Sequence, residues 1–118
     1  MNSRPKVYIS GPITSGNRNK NYHQSVEAQR ELMLAGFAPL NPMIAMTLPF
    51  AWEKDFPHEL WLECDFPWVE AADAVLRLPG YSVGADAELD HACEHDVPVF
   101  YSMEDLIAWR DENLAAVA

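Results

Sequence analysis

Short β-branched or aromatic runs alternate with helical patterns along this chain, and that alternation narrows the folds open to it. Lys6 to Ser10 ends at Gly11-Pro12, a strand running into a turn. Asn19 to Ala35 spaces Tyr22, Val26, Leu32 and Leu34 among polar residues and stops at Gly36, the pattern of a helix with a C-terminal glycine. Phe37 to Leu40 reads as a second strand closed by Asn41-Pro42, Ala74 to Leu78 as a third and Val97 to Tyr101 as a fourth. Further helices are expected over His58 to Ala72, Gly84 to Asp96 and Met103 to Leu114, the first kinked or split by Pro67. Met43 to Pro57 shows no clean period and reads as an ordered loop with one turn of helix, covering something it protects.

Strands that alternate with helices imply parallel pairing through right-handed crossovers. The expected fold class is therefore α/β, a Rossmann-like or flavodoxin-like doubly wound sheet of four to five parallel strands with helices on both faces. A length of 118 residues suits a single domain over 1–118. Ligands bind such sheets at the C-terminal strand ends, where the strand order reverses. That directs attention to Ser10-Gly11-Pro12, Asn41-Pro42, Pro79 to Gly84 and Tyr101-Ser102.

Charge removes one class of function. With 18 acidic and 8 basic residues the net charge is −10, which opposes binding to polymeric nucleic acid. No apolar run approaches the roughly 20 residues that span a bilayer, and no signal-peptide pattern precedes the first strand. A cytoplasmic protein without a membrane partner is expected. Cys64 and Cys93 both fall in helical patterns and are expected to be reduced, buried thiols.

Among so many acids, helical periodicity separates the unusual ones. In the helix after the third strand, Ala85, Leu89 and Ala92 define an apolar stripe, while Asp86, Asp90 and Glu94 face away. Glu88 falls at the edge of that stripe. In the preceding helix Trp61, Cys64, Trp68 and Ala72 are read as the buried stripe, and Asp65 falls within it. A break at Pro67 would instead make Asp65 a helix N-cap. A carboxylate on a buried face is costly unless it is paired or used, and such positions are where catalytic pKa values are set.

The loop before Glu88, Pro79-Gly80-Tyr81-Ser82-Val83-Gly84, opens a helix whose free amides favour an anion. Ser10 to Gly16 supplies a second glycine-bearing loop, expected to converge with the first. His91-Ala92-Cys93-Glu94-His95 matches an H-x-x-E-H zinc pattern. It sits at the far end of its helix with no third ligand evident, so surface histidines and no metal are expected.

Three segments together resemble the nucleoside 2-deoxyribosyltransferase superfamily: Tyr8-Ile9-Ser10-Gly11-Pro12-Ile13, Asp65 with Asp73 in Ala72-Asp73-Ala74-Val75-Leu76, and Ser82-Val83-Gly84-Ala85-Asp86-Ala87-Glu88. The closest branches are the small deoxynucleoside 5′-monophosphate N-glycosidases and related uncharacterised, often phage-associated proteins. The resemblance implies that Glu88 attacks the sugar C1′, that Asp65 assists departure of the base, and that Tyr8 positions Glu88 or the sugar. Ser10, Gly11, Pro12, Ile13, Ser82 and Gly84 would bind substrate, with Ser82 at a phosphate-contacting position, and Asp73 would be structural. The monophosphate-binding relatives carry an arginine soon after the first loop, where this sequence has Thr14 and Ser15, with Arg18 nearby.

The expected activity is thus cleavage or exchange of the N-glycosidic bond of a (deoxy)nucleoside or nucleoside 5′-monophosphate, through a covalent glycosyl-enzyme and without cofactor. The partner is a small nucleoside or nucleotide, and a homodimer or higher homo-oligomer is expected. The rival reading is a non-catalytic nucleotide-binding or sensing module of the same fold. The aromatic segment from Phe50 to Trp61 is read as a lid over the base or a subunit contact, with core packing for Trp61 and Trp68.

Overall fold

The computed structural model describes residues 4–117, without the side chains of residues 46, 47, 50 and 114–117. Phe50, named above in the aromatic segment, therefore has its side chain outside the described residues. The elements run β1 (Lys6–Ser10), α1 (Arg18–Leu34), β2 (Ala38–Leu40), a 3-10 helix (Pro42–Thr47), α2 (Leu48–Trp52), α3 (His58–Ala71), β3 (Ala74–Arg77), α4 (Val83–Glu94), β4 (Val99–Phe100) and α5 (Met103–Val117).

All strand pairs are parallel and the order is β2-β1-β3-β4. The chain leaves β1 to one side for β2, then returns past it to form β3 on the other side. The doubly wound α/β expectation holds, with four strands among the described residues. The order reverses between β1 and β3, so the crevice for a ligand opens where Ser10 pairs with Arg77.

Strand alternation assigns the two faces. Val7 and Ile9 point into a core with Ala28 and Leu32 of α1, Phe37, Leu76 and Leu106 of α5. Tyr8 and Val75 point the other way, into a second cluster with Val69 of α3, Ala92 of α4 and Val97. Ser10 shares the Tyr8 side by the same two-residue period, and both residues are buried. This alternation places two hydroxyls beneath α3 and α4.

Helix ends follow local chemistry. Gly36 at φ +95 ends α1, with Phe37 N–H donating to the Leu32 carbonyl at 2.9 Å and Gly36 N–H to Met33 at 3.3 Å. Asp96, at φ +57, ends α4 in the same way, with Val97 N–H donating to Ala92 at 2.9 Å. The Asp73 carboxylate accepts from Lys6 N–H at 2.8 Å, and Asp73 N–H donates to the Lys6 carbonyl at 2.8 Å, which locks the starts of β1 and β3 together.

Several expectations are corrected. Met43 to Pro57 is not mainly loop, since Asn41 caps a 3-10 helix by accepting from Met43 N–H at 3.0 Å, and α2 follows. Pro67 neither splits α3 nor makes Asp65 an N-cap, because α3 runs unbroken through it. The inward face of α3 is Leu62, Asp65, Phe66 and Val69, with Ala72 packed against the same cluster as expected, whereas Cys64 and Trp68 of the expected stripe are exposed. Trp68 is 60% exposed, and Cys64 and Cys93 are exposed free thiols rather than buried ones. Trp61 packs sideways on Trp52 (ring centroids 6.3 Å apart) and Phe56 (6.2 Å), and its indole N–H donates to Asp55 at 2.9 Å. Engagement with the segment before α3 turns it off the sheet. Among the described residues no helix is long and apolar enough to cross a membrane.

Candidate active site

Glu88 occupies the centre of the buried α4 stripe, with Ala85 and Ala92, rather than its edge, and is 6% exposed. Both of its oxygens are held. The Tyr8 hydroxyl donates to Oε2 in a very short contact, and the Ser10 hydroxyl donates to Oε1 at 2.9 Å. Successive same-face residues of β1 thus grip one carboxylate from below, fixing its rotamer.

Burial pushes the Glu88 carboxyl up to about 7, offset by the Tyr8 and Ser10 hydrogen bonds. The charge of Asp65 raises it further, and that of Arg77 lowers it. Asp65 projects from α3 toward the same point and is also raised, to about 6, by burial, with the Tyr8 hydroxyl holding it down. The Tyr8 phenol is pushed far above its ordinary range by burial and then by the two carboxylates, so it stays a donor. Two acids and a phenol form one coupled group that holds or releases a proton near neutrality.

The two loops converge as expected. Leu78 N–H donates to the Ser10 carbonyl at 2.7 Å, and a Cβ on Gly11 would come within 3.0 Å of Leu78 Cβ. Pro12 is buried against Gly80, where an added Cβ would approach Pro12 Cγ to 2.8 Å at a φ of +118. Gly80→Ala combines a left-handed backbone with a steric clash. It is expected to cost roughly 2–3 kcal/mol, read as a lower urea midpoint with unchanged slope. Ile13 is drawn toward α1, its carbonyl accepting from Asn21 Nδ2 at 3.2 Å.

Ser82 is the N-cap of α4, its hydroxyl oxygen accepting from Ala85 N–H at 3.1 Å. That acceptor is committed to the helix, while the amides of Val83 and Gly84 come before the first intrahelical bond and remain available to an anion. Gly84 also lets α3 approach: a Cβ there would lie 3.0 Å from the His58 ring.

Two residues escaped sequence reasoning. His58, at the first position of α3, is brought against the α4 N-terminus by a contact that no spacing encodes. Arg77 ends β3, is buried, and its guanidinium donates to the Leu78 carbonyl, to the Gly80 carbonyl at 2.8 Å, and pairs with Asp86 at 3.6 Å. It shapes the loop and places positive charge near Glu88. A lone arginine closing an apolar strand at the ligand edge was the available signal.

The His91 and His95 pair also differs from expectation. The sequence did not reveal the carboxylate beside the pair, Glu70 of α3, whose Oε1 is 3.1 Å from His91 Nε2 and 2.9 Å from His95 Nε2. Two apolar hollows lie on the surface, one along α1 by Tyr22, Met33 and Leu34 and one between β2 and Trp68, which Tyr8 also lines. Neither is lined by a carboxylate, so neither competes with Glu88 as a reaction centre.

Comparison with curated proteins gives no match. Among solved structures, the 2-deoxyribosyltransferase of the psychrotolerant bacterium Bacillus psychrosaccharolyticus is similar in fold. Its TM-score is 0.58 at 20% identity, and the match covers 80% of this chain and 69% of that one. Residues 5–101 match the family model described as "Domain of unknown function (DUF4406)", spanning the strands, both loops and the acid pair, and the chain belongs to that family.

Proposed function

We propose that this protein cleaves or exchanges the N-glycosidic bond of a (deoxy)nucleoside or nucleoside 5′-monophosphate, with Glu88 as nucleophile. The observation that carries the reading is a buried glutamate with both oxygens hydrogen-bonded, beside a second raised carboxyl, at the switch point of a doubly wound sheet. The deoxyribosyltransferase fold likeness and the sequence resemblance point the same way.

Glycosidic cleavage passes through an oxocarbenium-like transition state that a nearby carboxylate stabilises and traps. Ionised Glu88 attacks C1′ while the bond to the base nitrogen breaks. Protonated Asp65 gives its proton to the departing base. Water, or a second base, then attacks C1′ and releases Glu88, with Asp65 accepting the proton of the incoming nucleophile. Tyr8 and Ser10 hold the Glu88 carboxylate in the reactive orientation. The Val83 and Gly84 amides, with His58 beside them, would receive a 5′-phosphate or sugar hydroxyl.

Because the mechanism needs one acid ionised and the other protonated, the rate should follow a bell in pH with its top near 6 to 7. Tyr8→Phe removes hydrogen bonds that lower both the Glu88 and the Asp65 pKa, so both limbs of kcat/KM should move to higher pH. An unmoved profile would mean that Tyr8 does not act on the ionising groups. The reaction itself is tested by chromatography of nucleosides and their monophosphates for free base, with and without a second base. Free base with water alone indicates a hydrolase and a new nucleoside a transferase, whereas ligand binding without base release contradicts the enzymatic reading.

A further inference from the structure

We propose that Glu70, His91 and His95 form a binding site for a single divalent transition-metal ion of the zinc type, which clamps α3 to α4. His91 lies in the last turn of α4 and His95, four residues on, is its C-cap; their rings stand 4.3 Å apart, and Glu70 reaches both from α3. One Glu70 oxygen faces both Nε2 atoms at 3.1 and 2.9 Å. Ligands about 2.0–2.1 Å from a tetrahedral zinc stand roughly 3.3 Å apart, so only small movements would seat the ion.

The hydrogen-bond chemistry asks for a positive centre. His95 Nδ1 is 2.9 Å from the His91 carbonyl, an acceptor only, so Nδ1 carries the proton. In the neutral ring Nε2 is then a bare lone pair aimed at a carboxylate oxygen that also offers lone pairs. His91 Nε2 is buried and has no hydrogen-bond partner, although the same oxygen is close. A buried imidazole nitrogen without a partner, beside a bare lone pair and a carboxylate oxygen, is what a cation resolves. The Nδ1–H bond to a carbonyl is also the outer contact that orients a ligating imidazole. The His91 ring is further fixed by stacking on Phe66 at 4.3 Å and 8°.

Two imidazoles and one carboxylate favour a borderline cation over calcium or magnesium, which prefer all-oxygen shells. Partial exposure of Glu70 and His95, each 40%, leaves room for water or an added ligand to complete four-coordination. The cluster lies toward the C-terminal ends of α3 and α4, seven residues beyond Glu88 at His95. Its role is to hold together the two helices that carry Asp65 and Glu88, and it stands whether or not the proposed reaction does.

The test is titration of the chelator-treated full chain with Zn²⁺ by calorimetry and thermal melting. One ion per chain is expected to bind, and at a hundredfold excess over Kd it should raise Tm by roughly 10 °C. Mg²⁺ and Ca²⁺ should not do so. His95→Ala and Glu70→Gln should each weaken binding at least about tenfold, whereas His23→Ala on exposed α1 should not. Co²⁺ on the unaltered chain should give the intense visible bands of a low-symmetry four-coordinate site, a readout independent of variant folding. Absence of stoichiometric binding, or full affinity in both His95→Ala and Glu70→Gln, would overturn the proposal.

Discussion

Glu88→Gln is expected to abolish base release, by roughly a thousandfold or more, while substrate binding persists. The amide keeps the shape of the side chain and can still engage Tyr8 and Ser10, but it cannot attack C1′. The same substitution has a second, opposite effect. Burial raises the folded-state carboxyl from 4.5 to about 7, so the native chain holds this proton more tightly than the unfolded chain. The stabilisation from that proton is complete below about 4.5 and is lost as pH rises through 7. Glu88→Gln should therefore be more stable than the parent at about pH 8, by up to about 3 kcal/mol, and equal to it near pH 4. Urea titration at the two pH values reads this directly. Equal stability at both would mean that Glu88 is not a desolvated acid in the folded chain.

Asp65→Asn should cost on the order of 10²–10⁴ in kcat for an ordinary nucleoside. Its effect should depend on the leaving group. A base that departs without protonation, such as one already carrying positive charge through N-alkylation, does not need the acid, and with it the variant should recover most of its rate. Glu88→Gln should show no such recovery. A uniform loss across leaving groups would assign Asp65 to positioning rather than proton transfer. The basic limb of the pH profile should also flatten in Asp65→Asn, since the group that must stay protonated is gone.

Much of this architecture is legible in the sequence because two periods carry it. The two-residue period of β1 puts Tyr8 and Ser10 on one face, and the helical period of α4 puts Glu88 on the face opposite them. The glycines that punctuate the loops mark the edge where these meet, and Gly80 and Gly11 lie where close approach demands them. The α3 stripe misleads because its tryptophans obey the same spacing as its true inner face. Trp61 is claimed by Trp52 and Phe56, and the helix turns accordingly, leaving Trp68 exposed and Val69 buried. Contacts between elements leave no trace in local spacing, which is why Glu70 beside the histidines and His58 over Gly84 emerge only with the fold. The capping bond that Ser82 Oγ accepts from Ala85 N–H is likewise a detail of the fold, and it leaves the hydroxyl proton free to donate.

The central claim, a glutamate that forms a bond to the sugar, is most directly tested by trapping that bond. A nucleoside bearing fluorine at C2′ disfavours the oxocarbenium-like transition state of both steps, so a glycosyl-enzyme that forms with a good leaving group persists. Intact-mass measurement should show one sugar added per chain, peptide mapping should place it on Glu88, and Glu88→Gln should take up none. Base release from the unmodified nucleoside with no adduct on Glu88 under trapping conditions would contradict the account.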